Sequence, residues 1–183
     1  MLAASRISLR IMAFALSALV AALAVPARAA DARIDRIDLI AAGFYDAAAT
    51  KIASSIAAPT AAGGKTDQLA DVSLMSESPA DTARVGIGFG VRFRSAGEPR
   101  GAQATLRSLW KIPAPGIRNP ENGTTYRESI AEFTTAIGGV HWRGYGFNQP
   151  WEVVPGVWTI EIWQGDRKLL EHSFTVGPPA AKQ

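Results

Sequence analysis

The C-terminal run from Trp151 to Val176, WEVVPGVWTIEIWQGDRKLLEHSFTV, constrains the fold more than any other stretch. Two segments rich in β-branched and aromatic residues flank Gly165-Asp166, a dipeptide suited to a tight turn, and this is the signature of a β-hairpin. Trp158, Ile160 and Ile162 alternate with Thr159, Glu161 and Trp163, so one face of the first strand is wholly apolar. A strict Gly165-Asp166 loop sets Ile160 opposite Glu171. A one-residue shift sets it opposite His172 or Leu170. The shift suits the apolar face better and asks for a slightly longer loop or a bulge.

Upstream, short apolar segments recur between Gly and Pro punctuation. Ile34 to Tyr45 reads as a first strand, Asp71 to Met75 as a short one, and Ser76 to Asp81, with Pro79, as a turn. Arg84 to Arg94 alternates Val85, Ile87, Phe89, Val91 and Phe93 with Gly86, Gly88, Gly90, Arg92 and Arg94. Ala102 to Ile112 sets Leu106, Trp110 and Ile112 against Thr105, Arg107 and Lys111. Pro113 to Gly123 reads as a loop, Tyr126 to Thr135 and Val140 to Phe147 as strands, and Gly138-Gly139 and Pro155-Gly156 as turns. Asp46 to Ala70, rich in Ala, Ser, Thr and Gly, reads as a long flexible connection with a weak strand around Ile52 to Ile56. Seven or eight short strands without a helix predict an all-β antiparallel sandwich or barrel.

The first 29 residues read as a cleavable secretory signal helix. Arg6 and Arg10 precede an apolar run from Ile11 to Val25, and Ala27-Arg28-Ala29 supplies small residues for cleavage before Ala30. The run is short for a membrane anchor, so no stable anchor is expected after cleavage. Residues 30–183 then form one domain, with a core from about 34 to 176. The leader holds three of the 19 Lys and Arg (Arg6, Arg10 and Arg28) and none of the 16 Asp and Glu. The remainder carries 16 of each and no net charge, which gives no footprint for nucleic acid. Without cysteine there is no disulfide, thiolate nucleophile or Cys-based zinc site.

The candidate chemistry is sparse. Gly86-x-Gly88-x-Gly90 lies inside a strand, where a dinucleotide loop would open a helix; it leaves a bare backbone stripe for an aromatic ring or a ligand to cover. His141 and His172 are the only imidazoles and have no clustered partners, so packed, hydrogen-bonded histidines are expected, with no metal or cofactor. Glu121, Glu128, Glu132, Glu152, Glu161 and Glu171 read as mostly solvated. The aromatics Trp142, Tyr145, Trp151 and Trp163 are the candidate binding residues. Trp163 falls opposite Trp158. It either covers the hairpin end, stacked on Arg167 or the glycine stripe, or offers a platform to a sugar or peptide.

Gly43-Phe44-Tyr45, the Gly88-Phe89-Gly90-Val91-Arg92-Phe93 strand, Pro150-Trp151-Glu152 and the Pro155-Gly156-x-Trp158-Thr159-x-Glu161-Ile162-Trp163 hairpin arm resemble a bacterial exported family. So do Gly165-Asp166-Arg167-Lys168-Leu169 and Phe174-Thr175-Val176. That family is domain of unknown function 3859. The likeness runs from about Ile34 to Val176, and the last third is its specific part. The resemblance implies an immunoglobulin-like β-sandwich in the bacterial envelope, periplasmic or secreted, and carries no activity with it.

The expected role is a non-enzymatic interaction or accessory module, presenting loops or an open edge strand to another envelope protein. The alternative is a small-molecule or cell-wall glycan binder using exposed aromatics. A hydrolase or metalloprotein would need His141 or His172 beside carboxylates in a cleft.

Overall fold

The structure, a computed structural model, describes residues 32–57, 65–70, 72–78 and 80–179. The expected signal helix lies outside the described residues. The strands are β1 (Arg33–Asp46), β2 (Lys51–Ala57), β3 (Lys65–Ala70), β4 (Leu74–Ser76), β5 (Ala80–Thr82), β6 (Ile87–Glu98) and β7 (Gln103–Lys111). They continue with β8 (Ile117–Arg118), β9 (Thr125–Tyr126), β10 (Glu128–Ala136), β11 (Val140–Gly146), β12 (Gly156–Gln164) and β13 (Arg167–Gly177). Among the described residues there is no α-helix; Pro150–Glu152 forms a single 3-10 turn.

Two sheets face each other, ordered β11-β6-β1-β4 and β10-β7-β12-β13-β5. Alternation builds the layer between them. Ile87, Phe89, Val91 and Phe93 from β6 meet Leu106, Trp110, Trp158, Ile160, Ile162 and Phe174 from the second sheet, all buried. Each such side chain stabilises the fold by about 1.5–3 kcal/mol. Phe89 is the hub. Its ring centroid lies 5.3–6.2 Å from those of Phe44, Trp110, Tyr145, Phe147, Trp158 and Phe174.

The final hairpin takes the shifted register. Ile160 faces His172 and Ile162 faces Leu170, while Gln164 pairs with Arg167 across the two-residue loop. A bulge between Ile162 and Trp163 reconciles the two. Gly165 takes a φ of +55°, which a tight turn requires and glycine supplies without strain.

Four expectations are corrected. The sandwich has nine strands, not seven or eight; β4 falls on the short strand expected at Asp71 to Met75, and β5 is the unexpected addition. β5, overlapping the end of the segment read as a turn, pairs in parallel with Thr175–Gly177 of β13; three residues are too few to show alternation. The connection 46–70 contains a β2–β3 antiparallel hairpin in place of one weak strand. Its Ala- and Ser-rich sequence lacks the contrast between faces that marks a strand. Within the segment read as a loop, Ile117-Arg118 also pairs with Thr125-Tyr126.

Candidate functional site

The four candidate aromatics do not converge. Tyr145 points inward from β11 and lies 4.8 Å from Trp158 and 6.0 Å from Trp110. Burial, with the nearby Glu152 carboxylate, pushes its hydroxyl far above the ordinary range. Trp151, on the 3-10 turn, packs half-buried against the core. Trp142 lies on the outer face of the first sheet and Trp163 on the outer face of the second.

Trp142 belongs to the cover of the glycine stripe. Its ring meets Tyr45 edge-on at 5.4 Å. A Cβ on Gly88 would stand 2.6 Å from the Tyr45 hydroxyl, and one on Gly90 would stand 2.8 Å from Trp142 Cζ2. The glycines therefore leave room for two rings, from β1 and β11, to pack closely against the backbone of β6.

Trp163 sits neither on Arg167 nor on that stripe. Arg107 and Lys168 approach its ring, at 5.7 and 5.8 Å from the centroid, from the strands on either side. Arg167 instead reaches the carbonyls of Ile34 and Asp35. The Trp163 indole N–H donates to Glu161 Oε2 at 2.9 Å, and Lys111 Nζ donates to Glu161 Oε1 at 2.7 Å. Glu161 is 2% exposed. Burial opposes its charge, but the bonds from Lys111 and Trp163, with help from Lys168, hold its carboxyl down at about 2. A shallow cleft lined by Thr105, Leu106, Arg107, Glu132 and Gly165 adjoins this cluster.

Glu152 is likewise buried, not solvated. It accepts hydrogen bonds from the backbone N–H of Asn148 and Gln149 at 2.7 and 2.8 Å, fixing the turn that follows β11. Its hydrogen-bonding role is structural.

The two histidines part. His141 Nε2 bonds the Ala136 carbonyl at 3.2 Å, whereas His172 packs its ring on Phe174 at 4.8 Å. Burial pulls both below their ordinary pKa. No group of three or more metal-ligating side chains occurs among the described residues.

The least expected arrangement is at the sandwich's open side, where β11 and β10 are the end strands of their sheets. Phe147 N–H donates to Ile87, and Gly139 accepts from Ser95, so odd-numbered residues of β11 bond β6. By the alternation of an antiparallel ladder, the backbone groups of Trp142 and Gly144 then face away from the sheet. Among the described residues no strand pairs with that edge.

Between these edges Arg143 turns inward and lays its guanidinium on the Phe133 ring of β10, 3.7 Å from the centroid. It is 8% exposed and makes no ion pair with any described residue. Burial alone lowers its pKa to about 10. Thr135, two residues along the same face of β10 from Phe133, is 2% exposed and its hydroxyl has no hydrogen-bond partner.

Sequence reasoning missed Arg143 and Glu161. A signal existed for the first, since Arg143 shares its strand parity with the inward Tyr145. None existed for Glu161, which is covered by Trp163 of its own strand together with Lys111 from β7 and Lys168 from β13.

A family model described as a domain of unknown function, DUF3859, matches residues 64–176. The chain is similar to an immunoglobulin-like protein from Pseudomonas aeruginosa of known crystal structure. That protein is 25% identical, with a TM-score of 0.51, and the match covers 80% of this chain and 97% of the other. A β-D-glucoside glucohydrolase from Trichoderma reesei aligns at 12% identity and a TM-score of 0.35, over 78% of this chain and 19% of its own. No curated protein matches the chain. The fold is thus an immunoglobulin-like β-sandwich.

Proposed function

The chain belongs to the DUF3859 family, and from that premise we propose that it is an exported, non-enzymatic interaction module of the bacterial envelope. In this reading residues 1–29 are its leader and residues 30–183 its single domain, periplasmic or secreted. The module docks an extended segment of another polypeptide along the free edge of β11. One observation carries the reading: Arg143, almost wholly buried at that edge, has no acidic partner among the described residues. The absence of convergence among Trp142, Tyr145, Trp151 and Trp163 supports an edge over an aromatic platform.

Photo-crosslinking tests it. A photoreactive residue in place of Val140, which is exposed at the start of β11, is expected to capture a polypeptide in the envelope of the host. The same residue in place of Val157, exposed on β12, serves as the control. Equal capture from both positions, or none from either, overturns the reading.

A second reading, a glycan or small-molecule binder, is favoured by Trp163 alone, beside the cleft of Thr105, Arg107 and Glu132. It expects cell-wall fragments to quench tryptophan fluorescence in the parent and not in Trp163→Phe.

A further inference from the structure

Building on the docking role of β11, we infer that its edge selects a strand carrying an acidic side chain, and that Arg143 is the residue that takes the carboxylate. The argument starts from what an added strand does to Arg143. The guanidinium already has little water, and the Phe133 ring covers one face of it. A neutral strand laid along β11 would strip more water from the cation and return nothing, a penalty that leaves the edge closed. Inward-pointing charge on an edge strand is a recognised guard against indiscriminate pairing.

An acidic residue on the inward face of the incoming strand reverses the balance. Its carboxylate meets a planar fork of N–H donors in surroundings that strengthen charge-assisted hydrogen bonds. The electrostatic surroundings favour the same partner. The inward side chains of β11 and β10 around Arg143 are His141, Tyr145, Ser129, Ala131, Phe133 and Thr135, none of them acidic. The Thr135 hydroxyl is a further buried donor in want of an acceptor. The backbone groups of Trp142 and Gly144 supply ladder bonds, which give affinity without sequence preference. Arg143 then supplies the discrimination, attractive to one partner and repulsive to the rest.

The test uses the full mature chain and short labelled peptides of alternating Thr and Val. One carries a central Glu, one a central Gln, and one ends in a free C-terminal carboxylate at the same position. Binding is read by fluorescence anisotropy at moderate salt and by hydrogen exchange of the Trp142 and Gly144 amides. The Glu peptide is expected to bind about tenfold or more tightly than the Gln peptide and to protect both amides. Arg143→Gln is expected to abolish that preference. Arg143→Lys, which keeps the charge and the covered ring, should retain part of it. Equal binding of the Glu and Gln peptides with protected amides overturns acid selection and leaves edge docking standing. Protection by neither peptide overturns both. A Glu preference that survives in Arg143→Gln, or a free C-terminus that binds as well as Glu, overturns the assignment to Arg143 and a side-chain carboxylate.

Discussion

Lys111 on β7 reaches across the ladder to Glu161 on β12 and donates a 2.7 Å hydrogen bond to a carboxylate that is 2% exposed on the outward side of its sheet. The covering layer of Trp163, Lys111 and Lys168 makes an interior on a surface. It also fixes the sign of one pH effect. The carboxyl sits near 2 in the folded chain against an ordinary 4.5, so the unfolded chain binds the proton more readily. The stabilisation is complete above about 4.5 and is lost as pH falls toward 2. Melting temperature against pH should show this acid-side decline, and Glu161→Gln should flatten it. An unchanged slope would exclude Glu161 as its source.

The histidines act in the same direction at higher pH. Burial lowers His141, with Arg143 nearby adding to the effect and the Ala136 carbonyl opposing it; burial alone lowers His172. Below the ordinary value of 6.5 the unfolded chain takes up protons that the folded chain resists, so stability falls as pH drops through that value. His141→Gln should reduce the decline in urea midpoint between neutral pH and pH 5.5, and the double change with His172→Gln should remove most of it.

Trp158 and Trp163 lie on opposite faces of β12 and differ in what they hold. Trp158 is fully buried and donates to the Val154 carbonyl at 2.9 Å. Trp158→Ala should cost about 3–5 kcal/mol in chemical denaturation, from a cavity and a lost bond. Trp163→Ala removes one donor to Glu161 and should cost about 1–2 kcal/mol. Equal losses would refute the facing of the hairpin.

The glycines of β6 should rank by what opposes them. At Gly88 an added methyl meets the Tyr45 ring, a side chain and not backbone. At Gly90 it meets the β11 backbone at Arg143 and Gly144 as well as Trp142. Gly90→Ala should therefore cost more than Gly88→Ala, about 1–3 kcal/mol or above, and should speed exchange of β11 amides. The reverse order would mean that β11 yields more easily than Tyr45.

What the sequence discloses follows from where each signal resides. Trp158, Ile160 and Ile162 declare their face because alternation is local, and the bulge at Trp163 follows from asking Ile160 to face an inward partner. The glycine stripe announces that something must cover it. Which rings do so depends on the pairing of β6 with β1 and β11, and no local pattern contains that. β5 is invisible because three residues have no period. The aromatics of the last third look alike in sequence, yet Tyr145 joins the core while Trp142 and Trp163 lie on opposite outer faces. Glu161 reads as solvated because its burial depends on strand pairing that brings Lys111 and Lys168 to it beside Trp163, and Arg143 is disclosed only by the parity it shares with Tyr145.

Phe89 sits where rings from β1, β7, β11, β12 and β13 meet, so one side chain spans both layers of the sandwich. A chain without disulfides has no covalent tie to keep one sheet folded while the other opens. With its largest side chains interlocked around a single ring, loosening either layer means releasing the contacts of both. The core is therefore expected to melt as one cooperative unit, and the docking edge proposed for β11 would rest on a platform that does not shear beneath it.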